Sequence, residues 1–123
     1  MKLITKRQAR VADLLKQTIA EILQRRAKDP RVEGATITGV EVSVDMRVCR
    51  VFFCVFDAEK KEAALQGLES TAGFLRHELR KELSMKHVPE IFFLYDNSFD
   101  YGTKIDEILD RLDKDAESDS KDH

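Results

Sequence analysis

Apolar residues recur at three- and four-residue spacings in two long stretches of this chain and at near-alternate positions in the segments between and after them. From about Lys6 to Ala27, the residues Val11, Leu14, Leu15, Thr18, Ile19, Ile22 and Leu23 share one helical face. Arg7, Arg10, Lys16, Arg25 and Arg26 are left for the solvent side. Asp29-Pro30 marks a turn, because proline disfavours helix at the residue before it. Ile37, Val40, Val42 and Val44 predict a first strand and Arg47 to Phe56 a second. With only Asp45-Met46 between them, the two should form an antiparallel hairpin.

The second periodic stretch runs from Glu59 to about Met85, with Asp57 as its expected N-cap and Glu59 and Glu62 near its positive end. Leu65, Leu68, Ala72, Leu75, Leu79 and Leu83 make its apolar stripe. Gly73 interrupts the pattern. Mid-helix glycine costs roughly 1 kcal/mol relative to alanine, so a break at Ala72-Gly73 or the close approach of another backbone is expected there. Pro89 opens a third strand, Glu90 to Tyr95, where its missing N–H is tolerated. Residues 97–102 read as a loop, followed by a short helix with Ile105, Ile108, Leu109 and Leu112 inward. From Asp113 onward Ala116 is the only apolar residue, the pattern of an acidic disordered tail.

The order is helix, strand, strand, broken helix, strand, helix. The long helix carries the chain over one sheet face, which would lay the third strand parallel beside the first by a right-handed crossover. The expected fold class is α+β, a three-stranded mixed sheet covered by helices on one face. A chain of 123 residues has room for one such core, giving a single domain over residues 1–112 and a tail over 113–123.

The formal net charge of -2 hides a strong asymmetry. From Met1 to Arg31, nine cations face three carboxylates, a net of +6; from Asp106 to His123, eight carboxylates face three cations, a net of -5. Such a split points to a basic nucleic-acid face made by Lys6, Arg7, Arg10, Arg25, Arg26, Lys28 and Arg31. Arg76, Arg80, Lys81 and Lys86, beyond the expected break, would extend it. No apolar run approaches the roughly 20 residues of a membrane span, and no secretory signal opens the chain, so cytosol is the expected compartment.

Catalytic and metal chemistry find little support. Cys49 and Cys54 are five apart in a strand, pointing to opposite faces, and read as buried free thiols. His77 and His87 have no partnered carboxylate pair or cysteine cluster and read as surface groups. Gly34 and Gly39 have phosphate-loop spacing, but Val40-Glu41 stands where Lys-Ser/Thr is required. No nucleophile elbow, zinc-protease motif or triad is present, so no enzyme, metal or cofactor is expected. Of Phe52, Phe53, Phe56, Phe92, Phe93 and Tyr95, most should be core, since alternation sends only some to an open face. The rival to an RNA-binding reading is a small interaction module that dimerises through an exposed edge of the Arg47–Phe56 strand.

Several short segments in this order resemble the bacterial ribosome-binding factor A family. They are Arg7-Gln8-Ala9-Arg10-Val11-Ala12, Asp29-Pro30-Arg31, Thr71-Ala72-Gly73-Phe74-Leu75-Arg76, Val88-Pro89-Glu90-Ile91-Phe92-Phe93 and Asp96-Asn97-Ser98. The resemblance covers about residues 5 to 112. It implies a type II KH-like domain that binds the small (30S) ribosomal subunit and its 16S rRNA, assists late maturation and rRNA processing, and matters for growth in the cold. A monomer without small-molecule substrate is implied. KH domains clamp nucleic acid with a Gly-x-x-Gly loop, which this chain lacks. The family uses a helix-kink-helix bearing Ala-x-Gly instead. That pattern falls on Thr71, Ala72 and Gly73, with threonine where the pattern has alanine.

Overall fold

The first helix starts from a reciprocal pair of hydrogen bonds. Thr5 Oγ1 accepts the Gln8 backbone N–H at 3.1 Å, and Gln8 Oε1 accepts the Thr5 N–H at 3.0 Å. This capping box satisfies two donors that a helix end would leave unpaired. The amide nitrogen of the same Gln8 donates to the Val42 carbonyl at 2.9 Å, tying the helix start to the sheet. A computed structural model of the chain describes residues 4–26 and 28–98.

Helix α1 spans Lys6–Arg26 and is followed by a short 3-10 turn, Pro30–Val32. Strands β1 (Ala35–Val42) and β2 (Val48–Val55) form the expected antiparallel hairpin, with a register shift between Ile37 and Gly39. A second 3-10 turn, Ala58–Lys60, leads into α2 (Lys61–Leu83), and β3 is Glu90–Tyr95. Asp57 caps that turn, accepting the Glu59 N–H at 3.0 Å, so the helix itself starts a few residues after the expected cap. The short helix expected around Ile105–Leu112 and the acidic tail lie outside the described residues; the loop expected from residue 97 is helical at Asn97 and Ser98.

The described residues form an α+β fold in which α1 and α2 pack on one face of a three-stranded mixed sheet. Strand order is β1-β2-β3, with β3 parallel to β2. This corrects the expected placement of β3 beside β1. The crossover through α2 starts at β2 and lands on that strand's open side, while the Val42 carbonyl of β1 is already taken by Gln8. A central β2 is paired on both sides, so it has no exposed edge, and the sheet-edge rival loses the feature that suggested it.

Cys49, Val51, Phe53 and Val55 of β2, Ile91 and Phe93 of β3, and Leu15, Ile19, Ile22, Leu68, Leu75 and Leu79 of the helices make the core. The α2 stripe is as expected, with Leu65, Ala72 and Leu83 at its margin. In α1 one member departs: Leu14 is 49% exposed. Phe53 and Tyr95 meet edge to face at 5.4 Å, and Lys61 Nζ sits 4.1 Å above the Tyr95 ring. Cys49 and Cys54 are buried and unbridged, as expected. Burial alone pushes the Cys49 thiol up to about 12, which suppresses thiolate at neutral pH.

The expected break in the long helix is absent: α2 continues as one helix through Thr71, Ala72 and Gly73. Gly73 is exposed, and a Cβ there would meet nothing within 4 Å. The glycine that close packing requires is Gly67, nearly two turns earlier and buried. A Cβ at Gly67 would lie 2.9 Å from Arg31 Cβ and 3.2 Å from Val32 Cγ2. Thr71 is also buried, its hydroxyl donating to the Gly67 carbonyl at 2.7 Å. Gly67 therefore seats the turn after α1 against α2.

The two helix glycines should respond oppositely to alanine. Gly73→Ala should raise stability by up to about 1 kcal/mol through helix propensity alone. Gly67→Ala should lower it by about 1–2 kcal/mol, because the crowding of a rigid Cβ outweighs that gain; urea denaturation reads both. Gln8→Ala, losing the capping box and the bond to β1, should cost about 1–2 kcal/mol in the same assay. In thiol labelling at about pH 8, Cys49 should react only as fast as the protein unfolds.

Candidate nucleic-acid interface

Three separate stretches of chain meet at one end of the sheet and enclose a groove of about 740 Å³. The start of α1 contributes Arg7 and Val11, the β1–β2 turn contributes Val44 to Arg47, and α2 with its link to β3 contributes Arg76 and Met85 to Val88. Arg7, Arg47, Arg76 and Lys86 give the lining a cationic character, tempered by Asp45 and Glu90.

Each wall is held by specific bonds. In the hairpin turn, Ser43 Oγ donates to Asp45 Oδ1 at 2.7 Å and accepts the N–H groups of Arg47 at 3.1 Å and Val48 at 3.0 Å. Asp45 Oδ1 also accepts the Arg47 N–H at 3.1 Å. The Ser43 hydroxyl, followed by the Arg47 amide, holds the Asp45 carboxyl below its usual range. Its contribution to the turn is full above the ordinary carboxylate pKa and is lost only as pH falls through the lowered value. The Arg47 carbonyl accepts the Glu90 N–H at 2.9 Å, which ties the turn to β3. On the opposite wall, the Arg76 guanidinium donates to the Val88 carbonyl at 3.2 Å, drawing the link between α2 and β3 down onto the helix. Among the described residues, the two non-glycines with left-handed backbone, Met46 (φ 62°) and Ser84 (φ 50°), both lie in the loops that shape this groove. Such residues persist where the surroundings hold them.

Beside the apolar Val11, Val44, Met46, Met85 and Val88, the guanidinium forks of Arg7, Arg47 and Arg76 are groups suited to charge-assisted, bidentate hydrogen bonds with phosphate oxygens.

The cations expected to form one basic face divide into two groups. Arg7, Arg76 and Lys86 line the groove. Lys6 and Arg10 are exposed beside Arg7 in the first turns of α1, and Arg80 and Lys81 are exposed on the last turns of α2. Arg25, Lys28 and Arg31 lie at the far end of α1, roughly 27 Å along the axis from Arg7 to Arg25 at the usual helical rise. They do not share the groove. Arg26 closes α1 at that same end.

Two of the far cations are engaged locally. Arg25 pairs with Glu21 at 2.8 Å. Arg31 forms a forked bond to Asp29, its closest contact 2.6 Å, and reaches Ser70 of α2 at 3.5 Å. That bond lowers the Asp29 carboxyl and raises the Arg31 guanidinium from their ordinary values. With its Cβ set against Gly67, Arg31 fastens the turn to α2. Of the residues expected at the kink, Thr71 and Ala72 face inward and Gly73 faces out.

Charge counting over the N-terminal segment missed Arg47, because it lies in a hairpin turn where cations do not cluster in sequence. It also missed Gln8, although Thr5-Lys6-Arg7-Gln8 is a capping-box pattern that places Arg7 in the first turn.

Comparison with known proteins agrees with the architecture. A family model described as ribosome-binding factor A matches residues 7–109. The ribosome-binding factor A of Syntrophus aciditrophicus is 44% identical over 118 residues, covering 95% of this chain and 96% of that one. That of Geotalea uraniireducens is 47% identical over 118 residues, covering 94% and 96%. The crystal structure of ribosome-binding factor A from Thermus thermophilus superposes with a TM-score of 0.65 at 31% identity, covering 72% of this chain and 93% of that one. A Thermus thermophilus model fitted into a cryo-electron-microscopy map of a complex of the 30S subunit with ribosome-binding factor A gives 0.59 at 30% identity, covering 70% and 91%. With the helix–hairpin–helix–strand order, the match over residues 7–109 and these identities in hand, the chain belongs to the ribosome-binding factor A family.

Proposed function

We propose that this protein is a cytosolic, non-enzymatic assembly factor that binds the free 30S subunit through 16S rRNA. The observation that carries this reading is the convergence of Arg7, Arg47, Arg76 and Lys86 from three separate elements on one groove. Cations near in sequence are common on solvated helix faces. Cations brought together from distant segments around a concavity suit a polyanion better. Family membership and the 30S complex of the Thermus thermophilus relative support the same partner.

In this mechanism the groove neutralises phosphates of immature rRNA and holds a local fold while maturation and rRNA processing finish. Bound as a monomer, the factor blocks use of the unfinished subunit, and its release acts as a checkpoint. Phosphate contacts supply affinity with little base reading, so binding weakens steeply with salt. The family's importance for growth in the cold fits such a role, since misfolded rRNA rearranges more slowly at low temperature.

Sedimentation with isolated 30S subunits and with assembled ribosomes, at two salt concentrations, tests the reading. Co-migration with free 30S subunits that fades as salt rises is the expected outcome; migration alone in every lane would remove the function. Arg7→Glu and Arg47→Glu should each weaken 30S binding on the order of tenfold or more and flatten its salt dependence. Arg25→Glu, at the far end of α1, should change it much less. Equal losses for all three would argue for a diffuse charge effect in place of the groove.

A further inference from the structure

Gln8 follows Arg7 in the first turn of α1, is 9% exposed and carries no charge. Its side chain is used at both ends. Oε1 accepts the Thr5 N–H at 3.0 Å, and Nε2 donates to the Val42 carbonyl at 2.9 Å. A capping box is served as well by glutamate as by glutamine. The bond to Val42 is not: a carboxylate has no N–H to give, and its charge would face a carbonyl oxygen. The cap alone leaves the residue choice open, and the contact with the sheet decides it.

That contact falls at a point that matters for the groove. Val42 ends β1, and the hydroxyl of the next residue, Ser43, accepts the Arg47 N–H. Gln8 thus grips the chain one residue before the centre of the turn that carries Arg47. The bonds continue from there. The Arg47 carbonyl accepts the Glu90 N–H at the start of β3, and Arg76 of α2 donates to the Val88 carbonyl just before it. Bonds in series therefore join the three walls, and the one at Gln8 sets α1 against the hairpin. Arg7 is exposed, so it takes its place in the groove from the helical turn that carries it.

We propose that Gln8 is a positioning residue for phosphate binding: its bond to Val42 sets the spacing between Arg7 on α1 and Arg47 on the hairpin turn. A polyanion held by two guanidinium groups at once needs them at a fixed separation. A helix end free to shift would lose affinity to the ordering that binding then requires. Gln8 acts through Arg7 and need not touch the ligand. The inference rests on the groove reading above and adds an uncharged residue to it.

The test measures affinity for isolated 30S subunits over a range of salt, with circular dichroism to confirm that each full-length variant is folded. Gln8→Glu keeps the cap and loses the bond to Val42; Gln8→Met, neutral and of similar length, loses both. Each should weaken binding several-fold and lower the salt slope by about one phosphate contact. In an Arg7→Gln background either change should cost little more, because the cation it positions is already gone. Losses that multiply with that of Arg7→Gln would mean a general loosening of the fold and would overturn the inference. So would full affinity in Gln8→Met, which would assign the Gln8→Glu loss to its added charge. Should Gln8→Met not fold, Gln8→Glu carries the test through its pairing with Arg7→Gln. If Arg7→Gln and Arg47→Glu leave 30S binding unchanged, the groove reading fails and this inference with it. If they weaken it while both Gln8 variants bind normally, this inference fails alone.

Discussion

The structure depends on β2 being paired along both sides. Its inward residues Cys49, Val51, Phe53 and Val55 are at most 5% exposed, and each stands in register with β1 on one side or β3 on the other. A strand so enclosed satisfies most of its backbone within the sheet, which allows a near-continuous apolar sequence. It also decides everything downstream. With β1 joined by a tight turn on one side, the crossover through α2 lays β3 on the other. That placement brings the start of β3 beside the hairpin turn, where the Arg47 carbonyl accepts the Glu90 N–H.

The cationic groove follows from this meeting. Arg7 arrives through the capping box of α1, Arg47 through the Ser43–Asp45 turn, and Arg76 through a helix that also restrains the segment leading to β3. These bonds are short, mostly local, and made largely by residues that are not themselves cations. They fix the backbone positions from which Arg7 and Arg47 extend into the groove. Holding Asp45 ionised within the groove limits its positive potential while stiffening the turn that carries Arg47.

At the other end of α1 the same residue types serve packing. Arg31 is forked onto Asp29, contacts Ser70 and rests against Gly67, so its charge is directed inward to a partner in the same turn. A surface pair of this sort contributes little to stability by itself. Its effect is geometric, because it presses the Pro30–Val32 turn onto α2 at the one point where a glycine leaves room. Basic residues counted together in sequence thus part in space: Arg7 lines the groove, whereas Arg31 fastens a turn at the other end of α1.

Periodicity alone determined the helices, the hairpin, the third strand and most of the core, because burial of one face imposes spacings of 3.6 and 2 on apolar residues. Composition revealed the charge asymmetry, and ordered short segments revealed the family. Tertiary structure decided the rest. Strand order was illegible because apolar patterning says which face is buried and nothing of which neighbour pairs, so β3 beside β1 read as well as β3 beside β2. Gly73 and Gly67 look alike in sequence; only the position of Arg31 and Val32 shows that the second is the one another segment presses against. Charge likewise carries no distance, and the groove exists only where folding joins Arg47 to Arg7 and Arg76, residues with no proximity along the chain.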